Sequence, residues 1–160
     1  MSDREEIVSR VTAALEGAPA PVAIRNARKV DARGEQSGYW VVSNASGAIV
    51  ASGLDDAAFE QYCGTVGLAP ADRNAVVDAE GRILTPGYVD IHSHGAWEKS
   101  FDDGPDGIDV ARAGPAVHGT TRQVPHLTTQ PVDVTRRNLR HVRAKTAAGR
   151  RGLLGCPQVG

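Results

Sequence analysis

His92 and His94 stand one residue apart in the segment LTPGYVDIHSHG, residues 84–95. Side chains at i and i+2 of a strand share a face, so Asp90, His92 and His94 are predicted to project together. Two imidazoles on one face can take one divalent metal ion from one direction. Tyr88, Val89 and Ile91 supply β propensity, Pro86-Gly87 marks the entry to the strand, and Gly95 marks its exit. The same residues also read as a pair of core or surface histidines without a ligand, because a two-histidine match alone has low specificity.

The elements that must position these groups follow from periodicity. Ser2-Asp3-Arg4-Glu5 has the form of a capping box. Ile7, Val8, Val11, Ala14 and Leu15 then share a helical face, and Gly17 and Pro19 stop the helix, which is predicted to dock on its own protein. From Val22 the period changes to two. Short strands are predicted over 22–30, 38–43, 48–52 and 74–78, with turns at Asp31-Ala32-Arg33-Gly34 and Asn44-Ala45-Ser46-Gly47 and a helix over 55–62. After His94 strand and helix alternate. A helix is predicted over 106–117, with Pro115 disturbing its last turn, and a strand over 121–128. A helix capped at Thr129 or Gln130 then runs to about residue 148, followed by an apolar strand over 152–156. Strand–helix–strand–helix–strand predicts parallel α/β structure with right-handed crossovers.

Bulk properties exclude several classes. The chain has 160 residues, which suffices for a sizeable core but not for a complete TIM barrel of about 250 residues plus a second domain. A net charge of −1 gives no global attraction to nucleic acid or anionic membrane. Between Arg122 and Arg151 basic residues outnumber the one acid, Asp133, which raises nucleic-acid binding as a reading. However, Arg136, Arg137, Arg140, Arg143 and Lys145 fall on a helix that needs a solvated face, and no aromatic residue interleaves them, so no nucleic-acid partner is expected. Cys63 and Cys156 form no CxxC pair, so a reducing cytoplasm is the natural compartment. No apolar run is long enough for a membrane span, and the first residues lack a signal-peptide layout.

PGYVDIHSHG resembles the first barrel strand of the amidohydrolase superfamily. Phe101-Asp102-Asp103-Gly104, His118-Gly119-Thr120-Thr121 and Gly152-Leu153-Leu154-Gly155 narrow the resemblance to the N-terminal part of the N-acetylglucosamine-6-phosphate deacetylases. The resemblance covers roughly residues 22–155. It implies an α/β fold in which a small, incomplete β-sandwich-like module precedes the first three strands of a TIM-type (β/α)8 barrel. The implied organisation is an amphipathic helix over 1–20, a β-rich module over 21–83 and a hydrolase barrel segment over 84–160. It further implies that His92 and His94 are metal ligands at the mouth of the barrel; Asp90, one pleat earlier on their face, reads as a carboxylate that orients a ligand or supports the strand without binding the ion. The cofactor would be a divalent metal, zinc or iron, and the intact family would be homo-oligomeric. The implied reaction is hydrolysis of the acetamide of an amino-sugar phosphate in amino-sugar catabolism.

His118 precedes a glycine-demanding turn on the barrel side opposite the chemistry and reads as structural. His126 stands where the family has threonine, and either a third ligand or a place between layers is open to it. Gln123 and Arg122 replace apolar residues usual in that strand. Ala96-Trp97-Glu98 replaces the glycine-rich run usual after the histidines. The family follows its third strand with HLEGP, which carries a ligand glutamate, whereas this chain reads Gly155-Cys156-Pro157-Gln158-Val159-Gly160. The glutamate, the later histidines and the catalytic aspartate are therefore absent. The expectation is a truncated chain, inactive alone, with no catalytic residue of its own. A dihydroorotase- or hydantoinase-like amidohydrolase, or a non-catalytic remnant that binds metal or a subunit, are the alternatives.

Overall fold

The computed structural model describes residues 3–18, 20–147 and 152–154. Helix α1 (Asp3–Glu16) is followed by strands β1 (Val22–Asp31), β2 (Gly34–Ser43) and β3 (Ile49–Gly53), helix α2 (Asp56–Thr65), and strands β4 (Val76–Asp78) and β5 (Ile83–Leu84). The second half runs β6 (Tyr88–Ser93), β7 (Gly95–Ala96), β8 (Lys99–Ser100), α3 (Gly104–Ala116), β9 (Thr120–Pro125) and α4 (Val132–Ala147). These elements form two compact units: Ala18–Pro86, and Met1–Gly17 together with Gly87–Gly160. None of the described helices is long and apolar enough to cross a membrane.

The unit Ala18–Pro86 is one mixed sheet in the order β3-β2-β1-β4, with β5 also paired to β1. Hairpin neighbours run antiparallel, while β4 and β5 lie parallel to β1. Asp55 caps α2 by accepting hydrogen bonds from the main-chain N–H groups of Ala57 and Ala58 at 2.8 and 3.3 Å. Phe59 and Cys63, one helical turn apart, then pack with Ala23, Trp40, Val42, Leu68 and Val76. The Trp40 and Phe59 rings meet edge to face, 5.7 Å between centroids, and Trp40 Nε1 donates to the Asp55 carbonyl at 2.9 Å. Among the described residues a helix covers the apolar face of this sheet, and Phe59 and Cys63, four residues apart, are its buried contacts. β2 also begins four residues earlier than its apolar alternation implied, because Glu35 and Gln36 are held by pairing with Val30 and Lys29, not by burial.

In the other unit β6 and β9 pair in parallel, and Leu153 bridges Gln123 in parallel on the far side. Helices α3 and α4 link successive strands as expected of parallel α/β structure. Phe101, Ile108, Ala111, Leu127, Val142 and Leu153 form the core beneath them. Gly119 takes φ 95° in the α3–β9 turn, a conformation that costs a β-carbon-bearing residue energy, which explains the glycine of HGTT. His118 is exposed in that turn. Gln123 is buried with Nε2 unpartnered, while Arg122 is exposed, so the polar substitution fell on the covered face of β9. No residue of α1 is fully buried, and its half-buried Ile7, Val8, Val11 and Leu15 lie on the face predicted to dock.

On α4, Arg136, Arg137, Arg140 and Arg143 are exposed as expected. Lys145 departs from that pattern: it is half-buried and pairs with Asp109 of α3, which also lies 3.4 Å from Arg112. The capping residue Ser2, Pro19, Gly149 and the tail from Gly155, including Cys156, lie outside the described residues.

Candidate metal centre

The pairing of β6 with β9 builds the site. Ser93 lies opposite Pro125, both side chains are buried, and the main-chain N–H of His126 donates to the Ser93 carbonyl at 2.8 Å. Alternation then turns His92 and His94 to the open side of β6, and His126 to the same side of β9. Nε2 of His92 stands 3.2 Å from Nε2 of His94. The His92 and His94 ring centroids are 5.1 Å apart and steeply inclined, at 71°. His126 stacks on His92 with centroids 4.0 Å apart and planes 22° apart, and its centroid lies 6.1 Å from that of His94.

The two facing nitrogens fit one ion. Zinc–imidazole bonds of about 2.0–2.1 Å at a tetrahedral angle put two ligand nitrogens about 3.3 Å apart. The observed 3.2 Å matches that bite, and both histidines are exposed to an incoming ion. Among the described residues no group of three His, Cys, Asp or Glu side chains converges on a single ion. An ion held by the two histidines would take the rest of its coordination sphere from other donors.

Asp90 contacts the backbone of the strand that carries the pair. Its Oδ1 accepts the main-chain N–H of His92 at 3.1 Å, and the register of β6 against β9 shifts between Asp90 and Ser93. The irregularity thus falls within the segment that carries His92. The carboxylate shapes the backbone that presents the pair, and its contact is with the chain, not with a ring nitrogen.

Three supports went unseen in the sequence. The carbonyl of His94 accepts the N–H of Phe101 at 3.0 Å, and Phe101 is fully buried. Asp102 accepts hydrogen bonds from Thr128 N–H at 2.9 Å, Thr128 Oγ1 at 2.8 Å and Asn138 Nδ2 at 3.1 Å, and so fixes the chain just after His126. Between His94 and Phe101 lies a tight hairpin of β7 and β8. Its tip residues, Trp97 and Glu98, take φ 52° and 62°, the geometry of a two-residue primed turn. Arg4 of α1 donates to the Trp97 carbonyl, lies over the Trp97 ring and pairs with Glu98 at 3.7 Å. Gly95 is required at the base of this hairpin, where a Cβ would meet the Lys99 carbonyl oxygen at 2.0 Å.

Known proteins resemble this chain in two ways. No family model matches it. In sequence, an imidazolonepropionase of Sphingopyxis alaskensis is 36% identical over 69 residues, 38% of this chain and 17% of that protein. An imidazolonepropionase of Geobacillus sp. strain WCH70 is 32% identical over 95 residues, 55% of this chain and 20% of that protein. The chain thus spans a fifth or less of the length of these relatives. In fold, it is similar to N-acetylglucosamine-6-phosphate deacetylase from Pasteurella multocida, with TM-score 0.59 and 18% identity, over 79% of this chain and 31% of that one. The Mycobacterium smegmatis deacetylase matches with TM-score 0.53 and 23% identity, over 80% of this chain and 33% of that one. The resemblance read from the HSH and HGTT segments, to these deacetylases within the amidohydrolase superfamily, is thus met in the fold.

Proposed function

We propose that this chain carries the metal-gripping opening of a metal-dependent amide hydrolase of the amidohydrolase type. The observation that supports this reading is the 3.2 Å separation of His92 and His94 Nε2 at the end of a parallel strand. On this reading β6, β9 and the strand at Leu153 are the first three strands of a (β/α) barrel occupying 84–160, with the helix of 1–20 and the β-rich module of 21–83 before it. His92 and His94 hold a divalent ion, zinc or iron. When bound, such an ion polarises an amide carbonyl and acidifies water. The chain's own residues keep the two nitrogens facing each other, Asp90 shaping the strand and Phe101 fixing the His94 end.

The substrate class that the fold likeness favours is the acetamide of an amino-sugar phosphate, cleaved to acetate and the free amine in the cytoplasm, by a homo-oligomer. The matched relatives favour a second reading, an amidohydrolase acting on an imidazolone-ring substrate, because sequence likeness runs to imidazolonepropionases. Among the described residues no third His, Cys, Asp or Glu side chain joins the pair around one ion, so on this reading turnover needs further groups.

Metal analysis with an assay for acetate release from N-acetylglucosamine-6-phosphate tests the reading on the purified chain. One equivalent of zinc or iron, lost in the H92A/H94A double variant, is the expected result. A chain that retains no metal above that variant refutes it. Acetate release above a metal-free control would assign the substrate class to this chain directly.

A further inference from the structure

The role of His126 rests on the metal reading above. Imidazole binds an ion through a lone pair lying in its ring plane. An ion held by His92 therefore lies in the His92 plane. The nearly parallel ring of His126, 4.0 Å away between centroids, has its own lone pair directed along a different, offset plane. As placed, His126 cannot share the ion with His92, in keeping with the absence of a three-residue cluster among the described residues. It lies flat against the face of the first ligand.

The ring is itself held. Nδ1 of His126 stands 3.0 Å from the carbonyl of Val124, which fixes it as the nitrogen that carries and donates the hydrogen. The main-chain N–H is tied to Ser93, and two residues on Thr128 is tied to Asp102 by two bonds. The His126 ring is half-buried, whereas His92 is exposed. An exposed side chain at a strand end otherwise samples several rotamers and loses that freedom on binding an ion.

We propose that His126 is a positioning residue: by stacking on His92 it locks that ring in the plane where its Nε2 faces His94, so that the site is set before the ion arrives. Preorganisation of one side chain strengthens binding by roughly 3- to 10-fold.

The test uses the full chain and Co(II) as probe, with affinity from visible absorption and chelator competition for wild type, H126A, H126F and H92A/H94A. Circular dichroism establishes that each variant folds. H126A is expected to bind about 3- to 10-fold more weakly with unchanged absorption bands. H126F, which keeps a flat ring but has no nitrogen to offer, is expected to restore affinity to within about twofold of wild type. H126L, bulky but not flat, replaces H126A if that variant fails to fold. Unchanged affinity in H126A or H126L overturns the proposal. H126F as weak as H126A, with shifted bands, overturns it in favour of direct ligation. Wild-type binding no tighter than H92A/H94A overturns the metal reading itself.

Discussion

The main-chain N–H of His126 donates to the carbonyl of Ser93 at 2.8 Å. That bond sets the end of β9 against the residue between the two facing histidines, so three imidazoles from two strands occupy one patch. Its register follows from a buried pair, Ser93 and Pro125, which leaves the histidines no other side to occupy.

Single substitution of either member of the pair is expected to remove metal affinity by at least ~100-fold, because one exposed imidazole has no chelate partner here. Isothermal titration of zinc into wild type, H92A and H94A measures this. Equal affinity in wild type and either variant would show that the 3.2 Å approach is incidental.

Asp102→Ala removes acceptors for Thr128 N–H, Thr128 Oγ1 and Asn138 Nδ2 at once. With Asn138 buried, the loss of stability is expected to be about 2–3 kcal/mol, read from urea unfolding. Asp102→Asn keeps an acceptor and is expected to lose less. A D102A chain as stable as wild type would mean that the loop after β9 is held by something else.

Glu98 sits at φ 62° at the tip of the β7–β8 hairpin, with 94% of its side chain exposed. Glu98→Gly relieves the left-handed strain at the expense of a weak exposed ion pair with Arg4. A gain of about 0.5–1 kcal/mol is expected, seen as a higher Tm. Destabilisation would indicate that the Arg4 contacts outweigh backbone strain.

Two carboxylates of the unit Ala18–Pro86 carry acid sensitivity. The Arg33 main-chain N–H, followed by Lys29, holds the Asp31 carboxyl below its ordinary value. The Glu80 N–H does the same for Asp78, against partial desolvation and with help from Asn26 and Arg25. A lowered folded-state value stabilises above the ordinary carboxylate range, and the benefit is lost as pH falls through the lowered value. Asp31→Asn and Asp78→Asn are thus expected to be less stable than wild type at neutral pH. The gap should narrow in acid, in denaturation curves taken at about pH 7 and about pH 3. A gap independent of pH would assign the loss to packing.

Much of this was legible in the sequence. α2 was readable because Asp55 is a strong cap and its apolar residues keep helical spacing, and β6 because Tyr88, Val89 and Ile91 are strong strand formers. The β7–β8 hairpin was not, since two-residue strands show no period and Trp97-Glu98 carries neither the glycine nor the asparagine that announces a primed turn. The register irregularity between Asp90 and Ser93 was not legible, because a rule that counts in twos carries no signal for a one-residue shift. His126 stood out by type alone. Its meeting with His92 depends on how far β9 slides along β6, which Ser93 and Pro125, distant in sequence, decide.

Phe101 and Asp102 are neighbours, yet they hold different arms of the site. The Phe101 N–H donates to the His94 carbonyl, while Asp102 is bonded to the chain beyond His126 through Thr128. The dipeptide is a yoke across two strands. Two adjacent positions thus serve both the buried core and the chain on either side of the imidazole patch, so heat resistance and the spacing of the rings share one short segment of sequence.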